Sequence, residues 1–183
     1  MPIYKKVNKD FFKIWSREMA YVLGFFAADG YITNNKRGAS FWSIQITDKE
    51  LLYEIRRVVG AEHVISERGS VRNKSVAYRL QVGSKEMVSD LCALGLHAKK
   101  ARTVKLPPVP KKYLADFVRG YFDGDGNVWV GHVHKERKTK TKVISTVFTS
   151  CSKEFLLELK KIMSEEFSLE GGSLIAKNNS NAF

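Results

Sequence analysis

The sequence predicts an α+β fold built from two related halves, each of the order αββαββα, with the second half abbreviated. Three observations lead to it. A stretch occurs twice, as Met19 to Gly30 (MAYVLGFFAADG) and as Ala115 to Gly126 (ADFVRGYFDGDG), 96 residues apart. Each copy is followed by a run of period two, the pattern of a strand with one buried face. Between such runs lie segments whose apolar residues recur at helical spacing.

The repeated stretch sets the chemistry. Gly24, Ala27 and Ala28 fall three and four apart and share one helix face, as Gly120, Asp123 and Gly124 do in the second copy. Small side chains on that face allow two helices to approach closely, and the aromatic residues Tyr21, Phe25, Phe26, Phe117, Tyr121 and Phe122 are left to anchor the surrounding layers. Asp29 and Asp125 close the two copies at helix C-termini, where the helix dipole disfavours a carboxylate. Two like charges there call for a counter-ion. A divalent cation between them, its shell completed by phosphate oxygens, meets that need.

Taken in order, Tyr4 to Lys13 is a polar and aromatic lead-in, with Phe11, Phe12 and Trp15 placed to cover the first motif helix. Ser16 is positioned as its N-cap, with Glu18 in the first turn. Tyr31 to Asn34 and Ser40 to Thr47 form a hairpin around a turn holding Lys36 and Arg37. Trp42, Ile44 and Ile46 point inward and Phe41, Ser43, Gln45 and Thr47 outward. Asp48 opens a helix running to about Val59. A second hairpin, Val64 to Arg68 and Val76 to Gly83, turns through a loop holding Arg72 and Lys74, and Lys85 to Leu94 is a closing helix. The first half is therefore residues 1–97, and residues 98–112, stiffened by Pro107, Pro108 and Pro110, are a linker.

Residues 113–183 are the second half. Tyr113 to Gly124 is the motif helix, Asn127 to Val133 and Lys142 to Thr149 its hairpin, and Ser152 to Phe167 the next helix, with a stripe of Phe155, Leu156, Leu159, Ile162 and Met163. Ser173 to Ala176 has room for one further strand, and the C-terminal tail is expected to be loosely held in the free protein.

Lys and Arg number 31 against 19 Asp and Glu, a formal charge of +12, which favours a polyanionic partner and salt-sensitive binding. The basic residues are spread over both halves, which favours a folded footprint over a basic tail. Cys92 and Cys151 are far apart and read as core or semi-buried thiols of a reducing compartment. No run approaches the length of a membrane span, and Met1 to Asp10 lacks the apolar region of a signal peptide, so an intracellular, DNA-associated location is expected.

The segments YVLGFFAADG (Tyr21 to Gly30) and FVRGYFDGDG (Phe117 to Gly126) resemble the signature of the LAGLIDADG homing endonucleases in their single-chain, two-motif form. The resemblance implies catalytic metal ligands at Asp29 and Asp125, Mg²⁺ as the ion (with Mn²⁺ or Ca²⁺ able to occupy the site in vitro), and site-specific cutting of both strands of a long, partly asymmetric DNA target by a monomer, leaving 3′ overhangs. The alternatives are an intron RNA maturase and a non-cleaving DNA-binding regulator of the same fold. Lys99, Lys100 and Lys105 leave the first half near the centre; Lys100 is the expected active-site lysine, because relatives carry one at about this point in a run like His97 to Lys100. Relatives place a Gln at the end of the second strand of each half, where this chain has Asp48, divided between an N-cap and a water-ordering role, and Ser150 near the corresponding position of the second half.

DNA contacts are expected from both halves. In the first, Ser43, Gln45, Arg72, Arg79 and Gln81 suit base edges, with Lys36, Arg37, Arg68 and Lys74 around them. In the second, His132 and His134 are expected on one strand face, addressing DNA or a phosphate. Lys135, Arg137, Lys138, Lys140 and Lys142 supply mobile cations for phosphates.

Overall fold

The first copy of the repeated stretch is a helix, α1 (Arg17–Asp29), of whose 13 residues eight are buried, so it is a central element apolar on more than one face. The computed structural model describes residues 5–69, 76–98, 100–134, 136, 138–177 and 182–183. After α1 come β1 (Gly30–Asn34), β2 (Ser40–Ile46), α2 (Lys49–Val58), β3 (Ile65–Gly69), β4 (Val76–Gly83) and α3 (Lys85–Ala93). The second half holds α4 (Leu114–Asp125), β5 (Gly126–Val133), β6 (Thr141–Phe148) and α5 (Lys153–Phe167). The architecture is α+β with two pseudo-symmetric halves.

Local chemistry sets where helices begin. Ser16 Oγ accepts from Met19 N at 3.0 Å, Asp48 Oδ1 from Leu51 N at 3.0 Å, Ser84 Oγ from Met87 N at 3.2 Å and Ser152 Oγ from Phe155 N at 3.3 Å. Each cap satisfies one of the amides that a helix start leaves without a partner.

The first half's sheet is antiparallel throughout, in the order β1-β2-β4-β3. One face carries Trp42, Ile44, Leu80 and Val82, all fully buried. Phe26 of α1 meets Trp42 edge to face at 6.2 Å and Phe12 of the lead-in meets the same ring at 5.8 Å, whereas Trp15 stacks on Tyr113 before α4 at 6.1 Å. Met87, Val88 and Leu91 of α3 complete this core.

In the second half β5 and β6 pair with each other. Phe122 of α4 meets Phe148 of β6 at 5.2 Å, and Tyr121 meets Phe155 of α5 at 4.6 Å. The linker is docked as well as stiff: Val104 is buried, its carbonyl accepts from Ser152 Oγ at 2.8 Å, and Leu106 N donates to Glu158 Oε2 at 3.0 Å.

Three expectations need correcting. Ser173 to Ala176 forms no strand; instead the far end of the tail returns, with Phe183 N donating to Ser150 O at 2.9 Å and Ser150 N to Phe183 O at 3.2 Å. Cys151 is exposed, because it lies in the loop before α5 and not on the helix's apolar stripe. Strand register also revises one correspondence. Gly30 lies opposite Ile44 and Gly126 opposite Phe148, so the counterpart of Asp48 is Ser152, the other N-cap, and Ser150 matches Ile46.

Candidate active site

The site begins at the seam between α1 and α4. A Cβ placed on Gly24 would collide with the carbonyl oxygen of Phe117, and one on Gly120 with the carbonyl oxygen of Tyr21. Backbone touches backbone at both points, which only glycine permits. Further along, a Cβ on Gly124 would overlap the Ala28 methyl and stand 3.3 Å from Asp29 Oδ2, so the Asp29 carboxylate reaches across the seam onto the partner helix. Polar ties flank the contact. Tyr21 Oη donates to Asp123 Oδ2 at 2.8 Å, and the buried Asp116 carboxylate holds Arg17 at 3.3 Å and Arg119 at 3.4 Å. Asp123, the extra acid of the second motif, is thus exposed and tied to Tyr21.

Asp29 and Asp125 end the two paired helices. Burial raises the Asp29 carboxyl to about 6, and the neighbouring Asp125 adds to the rise while Lys100 opposes it. Burial likewise raises Asp125, against Lys100 and Lys177. Lys100 sits in a single 3-10 turn (Lys100–Arg102) with its side chain buried, its Nζ donating to the Ala27 carbonyl at 2.8 Å and lying 5.6 Å from the centre of the Phe26 ring. That carbonyl is one of those left open at the end of α1. Burial lowers the Lys100 ammonium to about 8, while both aspartates hold it up. Of the two other lysines considered, Lys105 is exposed and paired with Glu154 at 3.0 Å, and Lys99 lies outside the described residues.

Lys177 was missed by sequence reasoning. Its Nζ donates to Thr149 Oγ1 at 3.3 Å, and its charge acts on Asp125, while Thr149 N donates to the Asp125 carbonyl at 3.0 Å. It comes from a tail without periodicity, so no local signal marks it.

No group of three or more His, Cys, Asp or Glu gathers among the described residues. Mg²⁺ characteristically takes one or two carboxylates together with substrate phosphates and water, and the pair offers hard oxygen donors without nitrogen or sulfur. The donor set therefore fits such an ion.

The remaining candidates divide by strand face. Cross-strand pairs place Ser43 with Gln81 and Gln45 with Arg79, and Arg68 follows on the same face of β3, the face turned away from α1. Gln45 and Arg68 are exposed and Arg79 and Gln81 half-buried, but Ser43 is fully buried between its neighbours Tyr31 and Gln81. Ser43 Oγ and Arg79 Nε have no hydrogen-bond partner among the described residues. Asp48 is exposed and acts as the cap of α2.

Lys36 and Arg37 are exposed in the first hairpin turn. In the second half His132 and Lys142 lie opposite each other on the face that also bears Phe148, the side of α4. His134 has left the strand with φ of 54°, so the two histidines do not share a strand face. Lys138 and Lys140 are exposed beyond the strand ends, whereas Arg72, Lys74, Lys135 and Arg137 lie outside the described residues. No helix among the described residues is long and apolar enough to cross a membrane.

Residues 16–93 match the family model described as the LAGLIDADG-like domain. The replication factor C small subunit of Methanocaldococcus jannaschii is 29% identical over 116 residues, which are 62% of this chain and 6% of that protein. Among solved structures, the I-SmaMI LAGLIDADG homing endonuclease bound to cleaved DNA superposes with a TM-score of 0.58 at 12% identity, over 92% of this chain and 76% of its own. I-LtrWI bound to target DNA gives 0.56 at 14% identity, over 96% and 77%. The meganuclease I-AabMI bound to uncleaved DNA gives 0.55 at 16%, over 88% and 75%. At these identities the superpositions establish the fold.

Proposed function

We propose that this chain, homologous to the LAGLIDADG homing endonucleases in its first domain and in its fold, is a site-specific double-strand DNA endonuclease that uses divalent metal ions and leaves 3′ overhangs. The observation that carries the reading is the meeting of Asp29, Asp125 and the buried Lys100 at one glycine seam. Two carboxylates and an ammonium are costly to bury together unless a cation and a phosphate complete the set.

Asp29 and Asp125 would hold Mg²⁺, and the bound ion would stabilise charge on the phosphoryl oxygens and acidify a water. Lys100 has a separate task. Its Nζ is anchored on the Ala27 carbonyl and titrates near 8, so it can offer positive charge to the phosphate and exchange a proton with water or the departing 3′ oxygen near neutral pH. Lys177 supplies charge on the Asp125 side. Both motif copies sit in one chain, which suits a monomer, and the unlike faces of the two sheets suit an asymmetric target.

The test is selection of duplexes from a random-sequence library by binding in Ca²⁺, followed by transfer to Mg²⁺ and sequencing of the ends. The expected result is one consensus cut on both strands with 3′ overhangs. A selected duplex that stays bound and intact in Mg²⁺ would overturn the nuclease reading in favour of a binding module.

A further inference from the structure

We infer that the second sheet reads thymine methyl groups through an apolar face centred on Trp129, a specificity element that rests on the DNA-endonuclease reading above. The two sheets leave adjacent ends of α1 and α4, and each turns the same alternate set of residues to the side of its helix, as the Phe26–Trp42 and Phe122–Phe148 contacts mark. The opposite set faces away. In the first sheet that face carries Gln45, Gln81, Arg79 and Arg68 as polar side chains beside Tyr31 and Phe41.

In the second sheet the corresponding face carries Trp129, Val133, Val143 and Val147, with Asn127, Thr141 and Ser145 as polar members. Among the described residues of β5 and β6 it holds no charged side chain. Trp129 is 45% exposed and Val147 40%. The indole lies against Gly131, where any Cβ would overlap its six-membered ring, so glycine gives it a floor. Lys138 and Lys140 stand exposed in the connection that closes the hairpin, placed to meet phosphates.

Centred on Trp129 and three valines, with hydrogen-bonding side chains only at Asn127, Thr141 and Ser145, this face offers carbon where the first sheet offers planar donors, and no guanidinium or ammonium for a bidentate contact to guanine. The thymine C5-methyl is the apolar group that the groove presents, and contact with it is the readout such a face supports. The charge of +12 brings the polyanion, and the methyl contacts then sort sequences.

The experiment uses the full chain and the duplex selected as above. Thymines are replaced by deoxyuridine one half-site at a time, which removes only the methyl groups. In the wild type, replacement in one half-site should weaken binding about fourfold per contacted methyl. Trp129→Ala and Val147→Thr should lose most of that penalty, while Val130→Ala, on the opposite and 54% exposed side of the same strand, should keep it. Equal penalties in wild type and both face variants, or no penalty in either half-site, would overturn the inference while leaving the nuclease reading intact. Failure to select any duplex would overturn both. A chain that sediments as a dimer and is made monomeric by Trp129→Lys would assign the face to a second copy instead and overturn the inference.

Discussion

In the first half the strand that follows the motif helix lies within a four-stranded sheet, and Trp42, Ile44, Leu80 and Val82 on its helix side are fully buried. In the second half the equivalent side of a two-stranded sheet leaves Val128 55%, Val130 54% and Ile144 71% exposed. The seam between α1 and α4 is nonetheless matched residue for residue, Gly24 against Phe117 and Gly120 against Tyr21. The difference teaches that the shared centre depends on backbone contact between two helices, whereas the sheets beside it are free to differ in extent and chemistry.

The largest effect should come from the centre. Asp29→Asn or Asp125→Asn is expected to reduce Mg²⁺-dependent cleavage of a selected duplex by at least about 10²-fold while leaving binding nearly unchanged. Single-turnover cleavage beside a gel-shift titration checks this, and wild-type cutting by either variant would remove that aspartate from the site.

Glycine substitutions sharpen the contrast between seam and sheet. Gly24→Ala drives a methyl into backbone and is expected to cost about 3 kcal/mol of stability. Gly131→Ala meets the Trp129 side chain first, which can swing into solvent, so a cost below about 1 kcal/mol is expected. Urea denaturation compares the two, and equal losses would mean that the seam is no tighter than the sheet.

Recognition should divide between side-chain types. Gln45 and Arg79 substitutions are expected to change the order of preference among target variants. Lys138 or Lys140 to Ala should weaken all targets alike and lower the salt slope by about one unit each. Binding measured over sequence and salt decides it, and a uniform loss from Arg79→Ala would deny that residue a base contact.

The smallest effect is a pH dependence of the metal-free chain. The folded Asp29 carboxyl is raised to about 6 by burial and by Asp125, above its ordinary 3.8, so its contribution to stability is full below 3.8 and is lost as pH rises through 6. In chelator, Asp29→Asn should therefore gain in melting temperature relative to wild type, by a few degrees, between pH 5 and pH 7. A constant difference across that range would mean that the Asp29 carboxyl is not raised.

Much of this was legible because it is local. Asp29 and Asp125 announce themselves by repetition, the alternation of Trp42 and Ile44 with Gln45 gives the sheet faces, and Ser16 and Asp48 stand where caps belong. What escaped depends on partners distant in sequence. Ser43 looks outward by period, yet the strands on either side set Tyr31 and Gln81 over it. Lys177 acts on Asp125 only because the tail folds back, an event that its own neighbours in sequence do not encode.

The glycine seam also separates two quantities that mutation usually changes together. Because main-chain atoms of Tyr21 and Phe117 set the approach of the two helices, the relation between Asp29 and Asp125 owes little to the size of any core side chain. Drift in the surrounding core, at Leu23 or Phe155 for instance, would then thin the population of folded molecules and lower abundance in the cell. Each molecule that does fold would keep the relation between the two aspartates, so selection could act on abundance and on the geometry of the pair through different residues.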